Sequence, residues 1–297
     1  MLQLLLGGSG SGKTTLLYQR IRTRAEKGEK SILLVPEQFT SSTEGRIYRE
    51  LGDALSGMVE SFSFTSLAEK ILSTEGGAAV QTLSDAGRAV LVRRALEELQ
   101  DNVHYYHRHR RSAAFCQMAA QTIDELKSAG LSGRQLAQLA GACGAESGKL
   151  SELALIFQGY ETLLARSGMD PSDRLELAGA RLEEALARHS LPEFLRDRAV
   201  FIDEFDTFNA PKKRLLGAML AALPSVTVAL CDDGAPLLPG DLSLFSGAKQ
   251  VAAQLRQLAR KNGAEVAVPQ LLRKDLRHRN APGPVSYTHL RAHETSQ

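Results

Sequence analysis

The stretch Gly7-Gly8-Ser9-Gly10-Ser11-Gly12-Lys13-Thr14 constrains this chain more than any other, because it satisfies G-x-x-x-x-G-K-[ST] at every specified position. A polyphosphate must be surrounded by backbone N–H groups, so such a loop winds tightly. Gly7, Gly8, Gly10 and Gly12 are expected to supply the positive φ values and close approach that this winding requires. Lys13 is then placed to reach the β and γ phosphates as a point charge, and the Thr14 hydroxyl to ligate Mg²⁺. Ser9, Ser11 and Thr15 complete the expected nucleotide-binding set. The apolar run Leu2–Leu6 before the loop has the length of a buried strand, and Thr15–Ile21 after it places apolar residues at helical spacing. Strand, glycine loop and helix come in the order a phosphate cradle needs, with the helix N-terminus facing the anion.

The rest of the chain alternates between two characters. Ser31–Val35 and Met58–Phe64 are predicted strands, Thr43–Leu51 a helix, and Thr65 or Ser66 the cap of a helix running to Ser73. From 81 to 198, Leu, Ala, Arg and Glu dominate and apolar positions recur every three or four residues. That stretch is a predicted helical block with segments near Asp85–Leu99, Ala114–Ala129, Arg134–Ala142, Leu150–Ser167 and Ser172–His189. Strand chemistry returns at Ala199–Ile202 and Ser225–Leu230, separated by a helix over Pro211–Ala222. A helix near Leu244–Asn262 and a short strand at Ala264–Val268 follow. The expected organisation is a P-loop α/β domain over 1–80 and 199–272, interrupted by helices over 81–198 and followed by a tail over 273–297.

A phosphate loop needs an acid at the end of a neighbouring strand to hold Mg²⁺. Phe201-Ile202-Asp203-Glu204 supplies one: Asp203 as the metal partner and Glu204 as the base that polarises the attacking water. The polar loop after the predicted second strand, Pro36-Glu37-Gln38-Phe39-Thr40, is a second candidate contact surface, because ligands of parallel sheets collect at the carboxyl ends of the strands. Leu131-Ser132-Gly133-Arg134-Gln135 resembles the L-S-G-G-Q signature of transporter-type ATPases, but Asp203 lies too far downstream, and it reads as the end of one helix and the cap of the next. His104–Arg111 reads as a solvated basic loop, with contact to a phosphate backbone as its alternative. Lys261-Asn262-Gly263 lacks the acid of a guanine-specific motif, which disfavours a GTPase.

Composition excludes more than it selects. A net charge of +2 neither demands nor forbids nucleic acid. Cys116, Cys143 and Cys231 form no C-x-x-C pair, which argues for reduced thiols and against a disulfide framework, zinc site or cluster among them. No stretch approaches the roughly 18–20 apolar residues of a membrane span, and the opening run is too short for a signal peptide, so the expected location is cytoplasmic.

Taken together, Gly7–Thr14 at the N-terminus, Leu34-Val35-Pro36-Glu37-Gln38, Ser61–Ala68, Leu83–Arg88, Lys149-Leu150 to Tyr160-Glu161 and Asp170–Leu175 resemble one family. The family is the N-terminal part of the AddB (RexB) component of the bacterial ATP-dependent helicase/nuclease of the AddAB (RexAB) type, in its Gram-positive form. The likeness covers about residues 1–270 and implies a RecA-like first motor domain of superfamily 1 (domains 1A and 1B), working in double-strand-break repair beside the AddA (RexA) component of a heterodimer. It implies ATP and Mg²⁺ as cofactors, DNA as a partner and no membrane. An iron–sulfur cluster and nuclease are implied only in a C-terminal region absent here. By the same resemblance, Gln38, Phe39 and Thr40 and Ser61, Phe62, Ser63, Phe64 and Thr65 occupy the places of motifs that touch single-stranded DNA. The residues from about 285 look like translated adapter sequence and a truncated reading frame. A P-loop small-molecule kinase with a helical lid is the alternative reading of the motif and the helices.

Overall fold

The computed structural model describes residues 1–77, 79, 81–144 and 147–273. From residue 274 on, the expected tail lies outside the described residues. Strand β1 (Leu2–Gly7) leads into the glycine loop, and helix α1 (Lys13–Glu26) begins at the motif lysine, capped by Gly12. Next come β2 (Ser31–Leu34), a 3₁₀ turn over Glu37–Phe39, α2 (Thr40–Leu51), the short α3 (Asp53–Ser56), β3 (Val59–Phe62) and α4 (Phe64–Glu75). Helices α5 (Asp85–Glu98), α6 (Ala113–Ser128), α7 (Gly133–Ala140), α8 (Ser147–Ser167) and α9 (Pro171–Ala187) then precede β4 (Ala199–Ile202). The described chain ends with α10 (Ala210–Ala222), β5 (Ser225–Cys231), α11 (Ser246–Lys261) and β6 (Gln270–Leu272).

The strands form one parallel six-stranded sheet in the order β3-β2-β4-β5-β1-β6. Their apolar runs are near-continuous because both faces are covered, as a parallel sheet requires. Leu17, Tyr18 and Ile21 of α1 pack with Ile47 and Leu51 of α2 on one face. On the other, α4, α9, α10 and α11 share a core with Leu4, Ile32, Val200 and Val228.

Helices α5 to α8 carry a core of their own, with Val92, Leu96, Ile123 and Phe157 at its centre. Helix α9 differs, since Leu175, Ala178 and Leu182 join the sheet's core against α4 and α10. The seam between the two cores is bridged by polar groups. Lys127 Nζ donates to Asp170 Oδ2 at 2.7 Å and to Asp173 Oδ2 at 2.8 Å, and the Tyr160 hydroxyl donates to Asp170 Oδ1 at 2.6 Å.

Two local expectations shift. Strand β3 ends at Phe62 and α4 is capped by Ser63, not Thr65 or Ser66. The Ser63 hydroxyl accepts from the Ser66 N–H, while Ser66 Oγ accepts from the Ser63 N–H, a reciprocal box that satisfies two orphan donors. The strand expected at Ala264–Val268 reduces to a single bridge between Val266 and Leu2. Pro269 has no N–H to donate, and pairing resumes beyond it at β6.

Candidate functional site

Because the sheet is parallel, the glycine loop, the turn after β2, the start of α4 and Asp203-Glu204 all emerge at one edge, at the carboxyl ends of the strands. The loop's geometry explains three of its four glycines. Gly10 and Gly12 sit at φ 76° and 89°, where an L side chain is strained. At Gly7 a Cβ would lie 2.4 Å from Ser11 Oγ and 2.7 Å from the Leu272 carbonyl oxygen. Gly8 needs neither freedom, contrary to expectation: its φ is not positive and a Cβ would meet nothing within 4 Å.

Lys13 Nζ donates to the Gly7 and Gly8 carbonyls, each at 2.8 Å, so the ammonium lies over the loop. Ser11 Oγ is buried with no partner among the described residues. Ser9 and Thr15 are exposed at the rim. An orphaned hydroxyl, a lysine over the loop and left-handed glycines that turn backbone inward suit a polyphosphate.

Two inter-strand spacings, about 9.5 Å, separate β1 from β4, because β5 lies between them. The loop and the first turn of α1 cross that gap, bringing the Thr14 hydroxyl to the Asp203 carboxylate. Asp203 is buried, and its pKa is raised above the ordinary value. Burial is the main cause, opposed by the Thr14 hydroxyl, and assisted by the Glu204 carboxylate; the Glu204 N–H and the Lys13 ammonium pull it back down. The Glu204 N–H donates to Asp203 Oδ1 at 3.0 Å. Glu204 itself is exposed and stands at φ 66°, a left-handed conformation for a residue with a Cβ. Among the described residues no group of three or more His, Cys, Asp or Glu gathers as a metal site, and the three cysteines are free. A Mg²⁺ held by Thr14, Asp203 and phosphate oxygens needs no such cluster.

The expected DNA-contact residues divide. Gln38, Phe39 and Thr65 are exposed, and the Thr65 hydroxyl donates to the Glu37 carboxylate, which joins the turn after β2 to α4. Thr40 is half-buried, its hydroxyl donating to the Glu37 carbonyl at 2.9 Å. Ser63 is spent on its cap, Ser61 is half-buried in β3, and Phe62 packs 6.5 Å from Phe194. Phe64 is 2% exposed, with its ring against Phe205 at 5.2 Å and Phe208 at 6.0 Å. In this arrangement Phe64 is core and cannot stack on a base without moving.

Two clefts meet at Glu204. One, of about 380 Å³, is lined by Glu37, Gln38, Thr65, Phe205 and Lys212. The other, of about 250 Å³, runs from Thr14 and Asp203 to Tyr18, Arg46 and Arg49. Sequence reading missed Tyr18, Arg46, Phe205, Phe208 and Lys212. Tyr18 was within reach, since it follows Thr14 by one helical turn and shares its face. The others depend on which strands are neighbours.

The tempting stretches elsewhere are structural here. Ser132 caps α7 in a reciprocal box with Gln135, and Gly130 ends the preceding turn at φ 84°. The loop around His104–Arg111 is pinned by the buried Glu152 carboxylate, which accepts N–H groups from His104, Tyr105 and Tyr106 at 2.8 to 3.2 Å.

A family model described as "ADDB, N-terminal" matches residues 4–283. Among curated relatives, the B-subunit of the ATP-dependent helicase/deoxyribonuclease from Desulforudis audaxviator is 34% identical over 90% of this chain and 23% of its own length. The proteins of the same name from Moorella thermoacetica and Clostridium perfringens are 32% and 29% identical, over 98% and 94% of this chain and 26% and 24% of theirs. This chain thus spans about a quarter of the length of the curated relatives it matches. With a parallel α/β sheet, a glycine-rich loop after its first strand and a match over nearly its whole length, the chain belongs to the family of AddB N-terminal regions.

Proposed function

We propose that this chain is the ATP-binding, helicase-like N-terminal region of the AddB-type component of a heterodimeric ATP-dependent helicase/nuclease that processes DNA double-strand breaks for recombinational repair. The observation that carries this reading is the approach of Thr14 to Asp203 across β5, which sets a hydroxyl and a carboxylate beside the lysine of the phosphate loop. Lys13 would neutralise the β and γ phosphates, and Gly7, Gly8, Ser9, Gly10, Ser11, Gly12 and Thr15 would cradle them. Thr14 and Asp203 would hold Mg²⁺, which when bound offsets charge on the phosphate oxygens. Glu204, on the wall shared by both clefts, would orient the attacking water.

Single-stranded DNA would lie along the strand ends over Gln38, Phe39 and Thr65, with Lys212 supplying charge. Ser61, Phe62, Ser63 and Phe64 would hold that edge in place. We assign 1–80 and 199–272 to superfamily 1 domain 1A and 81–198 to domain 1B. An AddA-type helicase/nuclease partner, DNA and a cytoplasmic location complete the reading; among the described residues no helix is long and apolar enough to cross a membrane. A kinase lid would have to close over the phosphate loop. Here the helices are anchored through α9, on the face of the sheet opposite α1.

The chain should bind Mg·ATP yet turn it over slowly, because one motor domain cannot supply an arginine in trans. Steady-state ATP hydrolysis and a strand-displacement assay test this, and brisk unwinding by this chain alone would contradict it.

A further inference from the structure

The smaller cleft beside Asp203 has chemistry that the phosphate-loop motif does not account for. Its acidic wall is Asp203 and Glu204, and its opposite wall is Tyr18 of α1 with Arg46 and Arg49 of α2. The Arg46 guanidinium lies over the Tyr18 ring, 4.9 Å from its centroid. Tyr18 is 5% exposed, so the ring is a fixed platform. A guanidinium stacked face-on keeps the N–H groups at its edge available. Arg46 is half-buried and forms no ion pair among the described residues, although two carboxylates line the same cavity. Arg49 is exposed at the mouth, where its Nε donates to the Gly45 carbonyl at 3.3 Å. Tyr18 senses Asp203 and both arginines. Burial pushes its pKa up to about 12, Arg46 and Arg49 oppose the rise, and Asp203 and Glu50 add to it.

A cation and two carboxylates that face one another without pairing leave space for a ligand carrying both signs. A phosphate group with a divalent cation is such a ligand: the metal meets the carboxylates and the phosphate oxygens meet the guanidinium. The cavity of about 250 Å³ has room for a phosphate and ordered water, each water taking about 30 Å³. Its position identifies which phosphate. Thr14, Asp203 and Glu204 mark where the metal and attacking water would sit, at the far end of the loop from the nucleoside.

We propose that Arg46 is a specificity residue for the terminal phosphate, its guanidinium reaching from α2 over Tyr18 to the γ-phosphate of a bound nucleoside triphosphate, so that the site distinguishes triphosphate from diphosphate. The inference rests on the nucleotide reading of Gly7–Thr14. Arg49 is the second, outer charge of the same wall.

The test is calorimetric titration of the chain with Mg·ATP and Mg·ADP, comparing wild type, Arg46→Ala, Arg46→Lys and Lys13→Ala, with thermal melting of each. Loss of one charge-assisted hydrogen bond predicts that Arg46→Ala weakens ATP about tenfold and leaves ADP within about twofold. Arg46→Lys, which keeps the charge but not the stacked fork, should fall between. Lys13→Ala should weaken both nucleotides. Equal weakening of ATP and ADP by Arg46→Ala, or of neither, overturns the role of Arg46 while Lys13→Ala leaves the parent reading standing. If Lys13→Ala changes neither affinity, the nucleotide reading fails first, and this inference with it. The lysine variant keeps a long side chain over Tyr18, so it remains readable should the alanine variant melt early.

Discussion

The Thr14 hydroxyl stands against the Asp203 carboxylate, although β5 lies between the strands that lead to them. The hydroxyl offsets part of the cost of burying that carboxylate, and the rest remains. Burial raises the Asp203 pKa above its usual 3.8, so ionisation is harder in the folded chain than in the unfolded one. For an acid shifted upward, the contribution to stability is full below the unfolded value and is lost as pH rises through the folded value. Asp203→Asn should therefore melt higher than wild type at pH 7, by roughly 2–4 °C per kcal/mol of burial cost removed. The advantage should vanish as pH falls to the ordinary carboxyl range. The same variant should lose the Mg²⁺-dependent part of ATP binding, which melting curves with and without Mg·ATP will show.

Glu204 makes a separate prediction through its backbone. At φ 66° a Cβ is strained, by about 1–2 kcal/mol. Glu204→Ala keeps that strain and Glu204→Gly relieves it, so urea unfolding should find the glycine variant about 1 kcal/mol the more stable, after allowing for glycine's larger entropy in the unfolded chain. The usual order, alanine above glycine, would mean that Glu204 is not held in this conformation.

Glu152 is buried and its carboxylate takes the backbone donors of His104, Tyr105 and Tyr106. Glu152→Ala should cost about 2–3 kcal/mol in urea unfolding, because several donors to one charge lose their acceptor at once. Amide exchange at residues 104–106 should accelerate in step, with the nucleotide affinity unchanged.

Lys127 bridges the seam between the helical core and α9. It is the only cation within hydrogen-bond reach of Asp170 among the described residues, and Asp170 is 1% exposed. Lys127→Met would leave that carboxylate buried without its ion-pair partner, with the Tyr160 hydroxyl still donating to it, and should destabilise the chain by about 3–5 kcal/mol. The change should appear in urea unfolding as a lower midpoint. A loss under about 1 kcal/mol would mean that water reaches Asp170.

Much of this was written locally in the chain. The glycine loop, its flanking strand and helix, and the strand ending in Asp203-Glu204 each lie within a short contiguous stretch whose residue types state their own geometry. What the residues cannot state is adjacency. Arg46 over Tyr18, Phe64 against Phe205 and Phe208, and Thr65 on Glu37 all depend on β2 lying between β3 and β4. The apolar stripe of α9 shows the same limit. Leu175, Ala178 and Leu182 resemble the stripes of α5 to α8 in composition, yet they pack on the sheet's core. The placement of β6 failed for a local reason that was legible, the missing N–H of Pro269.

Whether Gly7–Thr14, completed by Asp203, binds a nucleoside triphosphate decides the proposed function. Titration of Mg·ATP into the chain and into Lys13→Ala tests it most directly. Binding should be saturable and one-to-one, and should weaken about a hundredfold, near 2.7 kcal/mol, when the ammonium is removed. Equal affinity in the two proteins, or no binding by the wild-type chain, would contradict it.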